Sequence, residues 1–203
     1  MARPQALDYE DRKRDILRAA AVLFARQGYN ETLLEDVARQ CGISKSALYH
    51  YHRSKHAVLL GLIQWKIEDL LWKVEAAIEA AGTPRDKLLA LTTTLVNEYI
   101  RSPEEITVLL TQVRHLEQGA FQDIAKIQER FIARLALVIQ ALRPDIDVTR
   151  KKTTALAMLF FGMTNWIHVW YKPSGSIKPD ELAEMITRIF LDGLNSLTSE
   201  ELA

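Results

Sequence analysis

The stretch CGISKSALYHYHRSKHAVLL, residues 41–60, sets four rings in a row: Tyr49, His50, Tyr51 and His52. Lys45, Arg53 and Lys55 flank them. A hydrophobic core would take Leu and Val here, and a loop would take Gly and Asn. Hydrogen-bonding rings among cations suit a surface that meets phosphate. Gly42 offers a tight turn, and Ser44 and Ser54 are side chains that cap helix starts. Upstream, Thr32-Leu33-Leu34-Glu35 has the Ser/Thr-x-x-Glu form of a capping box. Residues 32–52 therefore predict helix, glycine turn, helix, the order of a DNA-reading pair. Many helical proteins that read no DNA share that order, so the surrounding residues have to decide.

Outside this stretch the periodicity is helical nearly everywhere. Ile16, Ala20, Leu23 and Phe24 form one apolar face, and Gly28 closes that helix. Beyond Ser54 the helices lengthen, over about 54–80, 85–101, 104–115, 120–142, 147–170 and 180–191. Asp147 can cap the eighth, the loop YKPSGSIKP follows it, and Gly193 closes the ninth. The expected fold is all-α, with about nine helices and no strand. Only eight Gly and six Pro occur in 203 residues, too few for a turn-rich β architecture.

Formal net charge is zero, which argues against a generic polyanion binder. The charge is unevenly spread, however. Residues 1–60 hold ten Lys/Arg against seven Asp/Glu, a surplus of three, and the rest carry the matching deficit. The asymmetry is modest and permits nucleic acid contact at the N-terminal end. Cys41 is the single cysteine, so no internal disulfide can form and a reducing cytoplasm is the expected setting. The N-terminal residues show no apolar run of a secretory signal. Residues 153–171 carry no formal charge, yet Thr, Asn165, His168 and Gly162 interrupt them. A helix buried between subunits explains this better than a membrane span.

Residues 14–63, RDILRAAAVLFARQGYNETLLEDVARQCGISKSALYHYHRSKHAVLLGLI, resemble the N-terminal domain of the TetR family of bacterial transcriptional regulators, without a gap. Phe24, Gly28-Tyr29, Thr32, Asp36-Val37-Ala38, Gly42-Ile43-Ser44, Leu48-Tyr49 and Ser54-Lys55 carry the likeness. It implies a three-helix DNA-binding domain over residues 1–53. An effector-binding and dimerisation domain would fill 54–203. The chain would then be a repressor that binds a palindromic double-stranded DNA operator as a homodimer and is released by a small effector. Lys45, Ser46 and Ala47 would face base edges, with Lys45 on guanine and the Ala47 methyl on thymine. Tyr49, His50 and Tyr51 would lie toward the flanking backbone, and Tyr49 and Lys55 match family positions that hold phosphates. Thr32 can offer a hydroxyl or a backbone N–H to phosphate. Tyr51 can equally pack into the small core. Two departures stand out: His52 replaces a usual Phe, and Leu33 replaces a usual Ser or Thr.

The C-terminal resemblance, to regulators of fatty-acid and aromatic-acid breakdown, is looser. It admits an acyl-coenzyme A effector or another small apolar molecule. Trp65, Trp72, Phe131, Asn165 and Trp166 are the expected lining, with Leu71 and Leu135. Arg114 and Arg134, with Lys126 and Arg130, would be the cations for coenzyme phosphates. The family's paired last helices imply a dimer interface through Phe161, Trp170, Ile186, Ile189 and Phe190. No metal and no cofactor is expected, because His115 and His168 lack further ligands. No catalytic motif stands in the chain, so an enzyme is not expected. A helical protein that binds another regulator rather than DNA is the rival reading, and the Lys45, Tyr49 and Lys55 set argues against it.

Overall fold

The computed structural model describes residues 3–144 and 150–202. Asp147, the expected cap of the eighth helix, lies outside the described residues. Helix α1 runs Arg3–Gln27, α2 Leu34–Gln40, α3 Lys45–Tyr51 and α4 Lys55–Ala80. Next come α5 Pro84–Arg101, α6 Pro103–Thr111, a 3-10 turn Val113–His115, and α7 Gln118–Leu142. Last are α8 Arg150–Asn165, α9 Ile167–Trp170, α10 Pro179–Ser196 and α11 Ser199–Leu202. The expected nine helices are all present. The eighth is interrupted at Trp166, giving α8 and α9, and α11 is one further turn.

Glycine follows the first two helices, where the backbone turns left-handed. Gly28 (φ 85°) and Gly42 (φ 65°) occupy the left-handed region, which disfavours residues with a Cβ. At Gly42 the closure is complete: its N–H donates to Arg39 O and that of Ile43 to Ala38 O. Ser44 and Ser54 cap as expected, their hydroxyls accepting from Ala47 N at 3.1 Å and Ala57 N at 3.0 Å. The Thr32–Glu35 capping box does not form. Leu33 is the N-cap of α2 and makes no side-chain cap bond. Thr32 instead donates to Gly28 O at 2.8 Å and is fully buried. The box is out of register by one residue. At α5 an actual box pairs Thr83 with Asp86 around Pro84.

Packing divides the chain into two compact units. The first comprises Met1–Ile67 and Glu104–Ala125, the second Glu68–Pro103 and Lys126–Ala203. The first unit therefore takes in residues 54–67 and 104–125 as well as the reading head expected to end at 53. Its core is Ile16, Leu17, Ala20, Ala21 and Phe24 of α1 against Val37, Ala38 and Leu48, with Val58, Leu59, Leu62 and Ile63 of α4 also buried. In the second unit α10 packs along α5. Phe160 lies edge-on to Phe190 and Phe161, and Phe161 edge-on to Phe131. Arg143, just past α7, donates to Leu194 O at 2.8 Å and Leu197 O at 3.1 Å, satisfying the end of α10. Among the described residues, no helix is long and apolar enough to cross a membrane.

Candidate nucleic-acid interface

Helices α2 and α3 join through the glycine turn and present their first turns together. Lys45, the first residue of α3, forms an ion pair with Glu35 in the first turn of α2. That bond is the leading cause of two opposite shifts: the Lys45 ammonium is raised above the usual lysine range and the Glu35 carboxyl is lowered. Both side chains stay about half-exposed. Ser46 is exposed, its hydroxyl 2.9 Å from that of Ser44. Ala47 is half-buried, while Tyr49 and His50 are exposed. Tyr51 is not free in the same way. Its ring stacks on Tyr9 of α1, with centroids 4.9 Å apart. The core position of α3 belongs to Leu48, which is fully buried.

Two expected phosphate ligands are engaged elsewhere. Thr32 has its hydroxyl on Gly28 O, and accepts from Gln27 Nε2 at 3.3 Å. Lys55 points inward: its Nζ donates to Tyr29 O at 2.9 Å, Asn30 O at 3.0 Å and Thr32 O at 3.1 Å. An ammonium has three donors, so none is left for a phosphate. The same nitrogen sits 4.5 Å from the centroid of Tyr29. Tyr29 in turn stacks on His115 at 5.0 Å, and its hydroxyl is raised by burial and then by the charge of Glu117. His56 Nε2 accepts the Glu117 N–H at 3.3 Å. Lys55 is thus a staple of the turn after α1. His52, in the position usually held by Phe, is buried and its Nε2 has no hydrogen-bond partner.

The expected effector residues are scattered in role. Trp65 lies beneath the Arg18 guanidinium, 5.6 Å from its centroid. Arg114 is exposed in the 3-10 turn. In the second unit Leu71, Phe131 and Leu135 are buried. Trp72 and Trp166 are exposed, so neither ring walls an interior channel. Arg134 donates to Glu75 at 2.7 Å, and Arg130 shares that carboxylate at 3.7 Å. Asn165 Oδ1 accepts the Tyr99 hydroxyl at 2.5 Å, and its carbonyl accepts from His168 Nδ1.

The expected dimer residues also divide. Ile186 and Phe190 are buried, and Phe161 is half-buried between Phe131 and Phe160, so these three serve the chain's own core. Trp170 and Ile189 are exposed. With them stand Met158, Leu159 (65% exposed), Trp166 (62%), Val169 and Met185, apolar side chains open to solvent on α8, α9 and α10. The sequence reading did not single out Met158, Leu159 and Val169 of this set, nor the Glu35 partner of Lys45 and the Tyr9 partner of Tyr51. Glu35 carried a signal, an acidic residue in the first turn of the motif's first helix, but the capping-box reading absorbed it.

Residues 16–62 match the family model described as bacterial regulatory proteins, tetR family, and residues 81–194 match that of a tetracyclin repressor-like C-terminal domain. The HTH-type transcriptional repressor KstR2 of Rhodococcus jostii (strain RHA1) is 31% identical over 193 residues, covering 91% of this chain and 92% of its own length. A crystal structure of a TetR-family transcriptional regulator from Bordetella parapertussis has a TM-score of 0.83 at 37% identity, covering 92% of this chain and 97% of that one. A structure of AibR in complex with isovaleryl coenzyme A and operator DNA has a TM-score of 0.77 at 23% identity, covering 88% and 97%. With both ends of the chain matched by models of one kind, and a repressor relative aligned along nine-tenths of it, the chain belongs to the TetR family of bacterial transcriptional regulators.

Proposed function

We propose that this repressor binds a palindromic operator as a homodimer and lets go when a small acyl-coenzyme A thioester binds its C-terminal region. The bare apolar strip on α8, α9 and α10 carries the dimer reading. Seven large apolar side chains there are exposed in the single chain, on elements that contact one another, and exposed apolar surface of this kind marks an interface. A dimer supplies two reading heads, which a palindromic operator requires. In each head the first turn of α3 enters the major groove. Lys45, Ser46 and Ala47 face base edges there, while Tyr49 and His50 reach toward phosphate.

The effector class has its support in AibR, whose solved form holds isovaleryl coenzyme A and operator DNA. The likeness is one of fold, so the class needs its own test. Arg130 and Arg134 are the cations this reading gives to a coenzyme phosphate, which would compete with Glu75 for them. An effector shifts the equilibrium only through its difference in affinity for the two states. As a regulator of transcription the protein would act in the cytoplasm, beside the chromosome. A titration of the operator complex with isovaleryl-coenzyme A, a long-chain acyl-coenzyme A and the matching free acids tests the reading. Release by thioesters alone supports it. Release by free acids or uncharged aromatics moves the assignment to a drug-type sensor, and a dimer that shifts no palindromic DNA overturns it altogether.

A further inference from the structure

The ion pair between Glu35 and Lys45 has a use that neither partner has alone. A lysine on the first turn of a reading helix is a flexible point charge on a four-carbon stem. Left to itself it goes to whichever phosphate is nearest, and a phosphate contact carries no sequence information. Glu35 changes that competition. It stands in the first turn of α2, on the other helix of the motif, and holds the Lys45 ammonium beside the start of α3. The two charges cancel, so the pair offers little attraction to the backbone at large. Arg39 is treated the same way, its guanidinium paired with Asp36 on the same helix. The pair is exposed and therefore weakly held, so it does not lock Lys45 away.

The donor count decides what a held lysine can still do. One of the three ammonium N–H groups serves the carboxylate. Two remain, and guanine presents two acceptors, O6 and N7, side by side in the major groove. Lys45 can thus keep Glu35 while it donates to guanine. A phosphate beyond the reach of the held ammonium can be met only by giving up the carboxylate and leaving it bare in the field of the DNA.

We propose that Glu35 is a specificity-determining positioning residue, which tethers Lys45 toward guanine edges and withholds it from phosphate. This rests on the base-reading role of Lys45 proposed above. The test uses the full-length protein, with an operator duplex obtained by selection from random DNA and a scrambled duplex of equal length. Affinity for both is measured over a salt series for the wild type, Glu35→Gln, Lys45→Ala and the double variant. Glu35→Gln is expected to bind scrambled DNA about fivefold or more tighter and to steepen its salt dependence by roughly one unit per subunit. The operator-to-scrambled ratio falls accordingly. In the Lys45→Ala background the same substitution should raise both affinities alike and leave the ratio unchanged. Thermal melts show that the variants fold, and Glu35→Ala repeats the measurement with a second side chain. If Glu35→Gln alters neither the ratio nor the salt slope, the proposal is overturned. A ratio that changes equally without Lys45 overturns it too, since Glu35 would then act directly on a base. If Lys45→Ala itself spares the ratio, the reading beneath falls first, which separates the two failures.

Discussion

Lys55 shows how one pair of letters can carry two opposite roles. Ser54-Lys55 is compatible with a phosphate ligand and with an internal staple, since a lysine donor accepts either partner. Only the position of the Tyr29, Asn30 and Thr32 carbonyls, all within 3.1 Å, separates them. The consequence is measurable. Lys55→Ala should cost about 2 kcal/mol, the order for lost charged hydrogen bonds at a part-buried site, which lowers the melting temperature by roughly 5 °C. The slope of operator affinity against salt should stay at the wild-type value. A shallower slope would return Lys55 to the phosphates. His52 carries the other residue-scale prediction. Burial, and then the charge of Lys13, push its imidazole below the usual histidine range, although a backbone hydrogen bond at Lys13 pulls the other way. The ring lies against Gly61, where a Cβ would stand 3.4 Å from His52 Cε1. A folded-state value below the unfolded one of about 6.5 means that the unfolded chain takes up the proton first. Stability should therefore fall as pH drops below about 6.5. His52→Phe should remove this term, and by deleting the orphaned Nε2 should stabilise the fold by about 1 kcal/mol or more. Chemical melts of both proteins between pH 5 and 8 check it, and parallel pH profiles would rule it out.

Among the elements, helix existence was the most legible property and helix orientation the least. Gly28, Gly42, Ser44 and Ser54 punctuate the chain by local chemistry, so the first four helices could be placed from their letters. Thr32 misled because a capping box is defined by spacing alone, whereas the N-cap fell on Leu33 and the hydroxyl found Gly28 O. Helix α10 gave the harder problem. Ile186 and Phe190 face the core while Met185 and Ile189, one position earlier in each case, face solvent. Successive residues differ by about 100° around a helix. A helix that is apolar on two stripes therefore announces that both are used, without saying which stripe meets its own fold. The exposed stripe supplies the prediction at this scale. Ile189→Asp and Leu159→Asp should each shift the protein to monomer in light scattering and weaken operator binding at least tenfold, because both half-sites must be held at once. Phe190→Asp should instead unfold the second unit, since its ring packs on Phe160. Monomers that keep full operator affinity would sink the dimer reading.

For the molecule as a whole, the family was readable from residues 14–63 and the all-helical class from the periodicity of the whole chain, but the effector was not. Residues of the expected lining were chosen for being aromatic or cationic, and those properties serve surfaces and ion pairs equally well. Trp72 went to solvent and Arg134 went to Glu75. A thioester effector predicts a specific thermal signature. A ligand at about one hundred times its dissociation constant adds about 2.7 kcal/mol to the state it binds. The melting temperature should then rise by roughly 5–10 °C. Isovaleryl-coenzyme A should give this rise, and Glu75→Gln, which frees Arg130 and Arg134, should lower the concentration needed. Free coenzyme A giving the whole effect would show that the acyl chain is not recognised.

The lone thiol also offers a test of whether the heads of the proposed dimer move. Cys41 is the only cysteine in 203 residues and sits half-exposed in the turn between α2 and α3. Burial, and then the Asp15 charge, raise its thiol above the usual range while Arg12 opposes them. Only the thiolate reacts with an alkylating probe, so labelling should be slow at neutral pH and quicken as the solution is made alkaline. A spin label placed there appears once per chain, and so twice in the proposed dimer, with no cysteine to be removed first. The distance between the two labels then acts as a ruler laid across the operator. It should be narrowly distributed on DNA and should shift or broaden when the effector takes the protein off it.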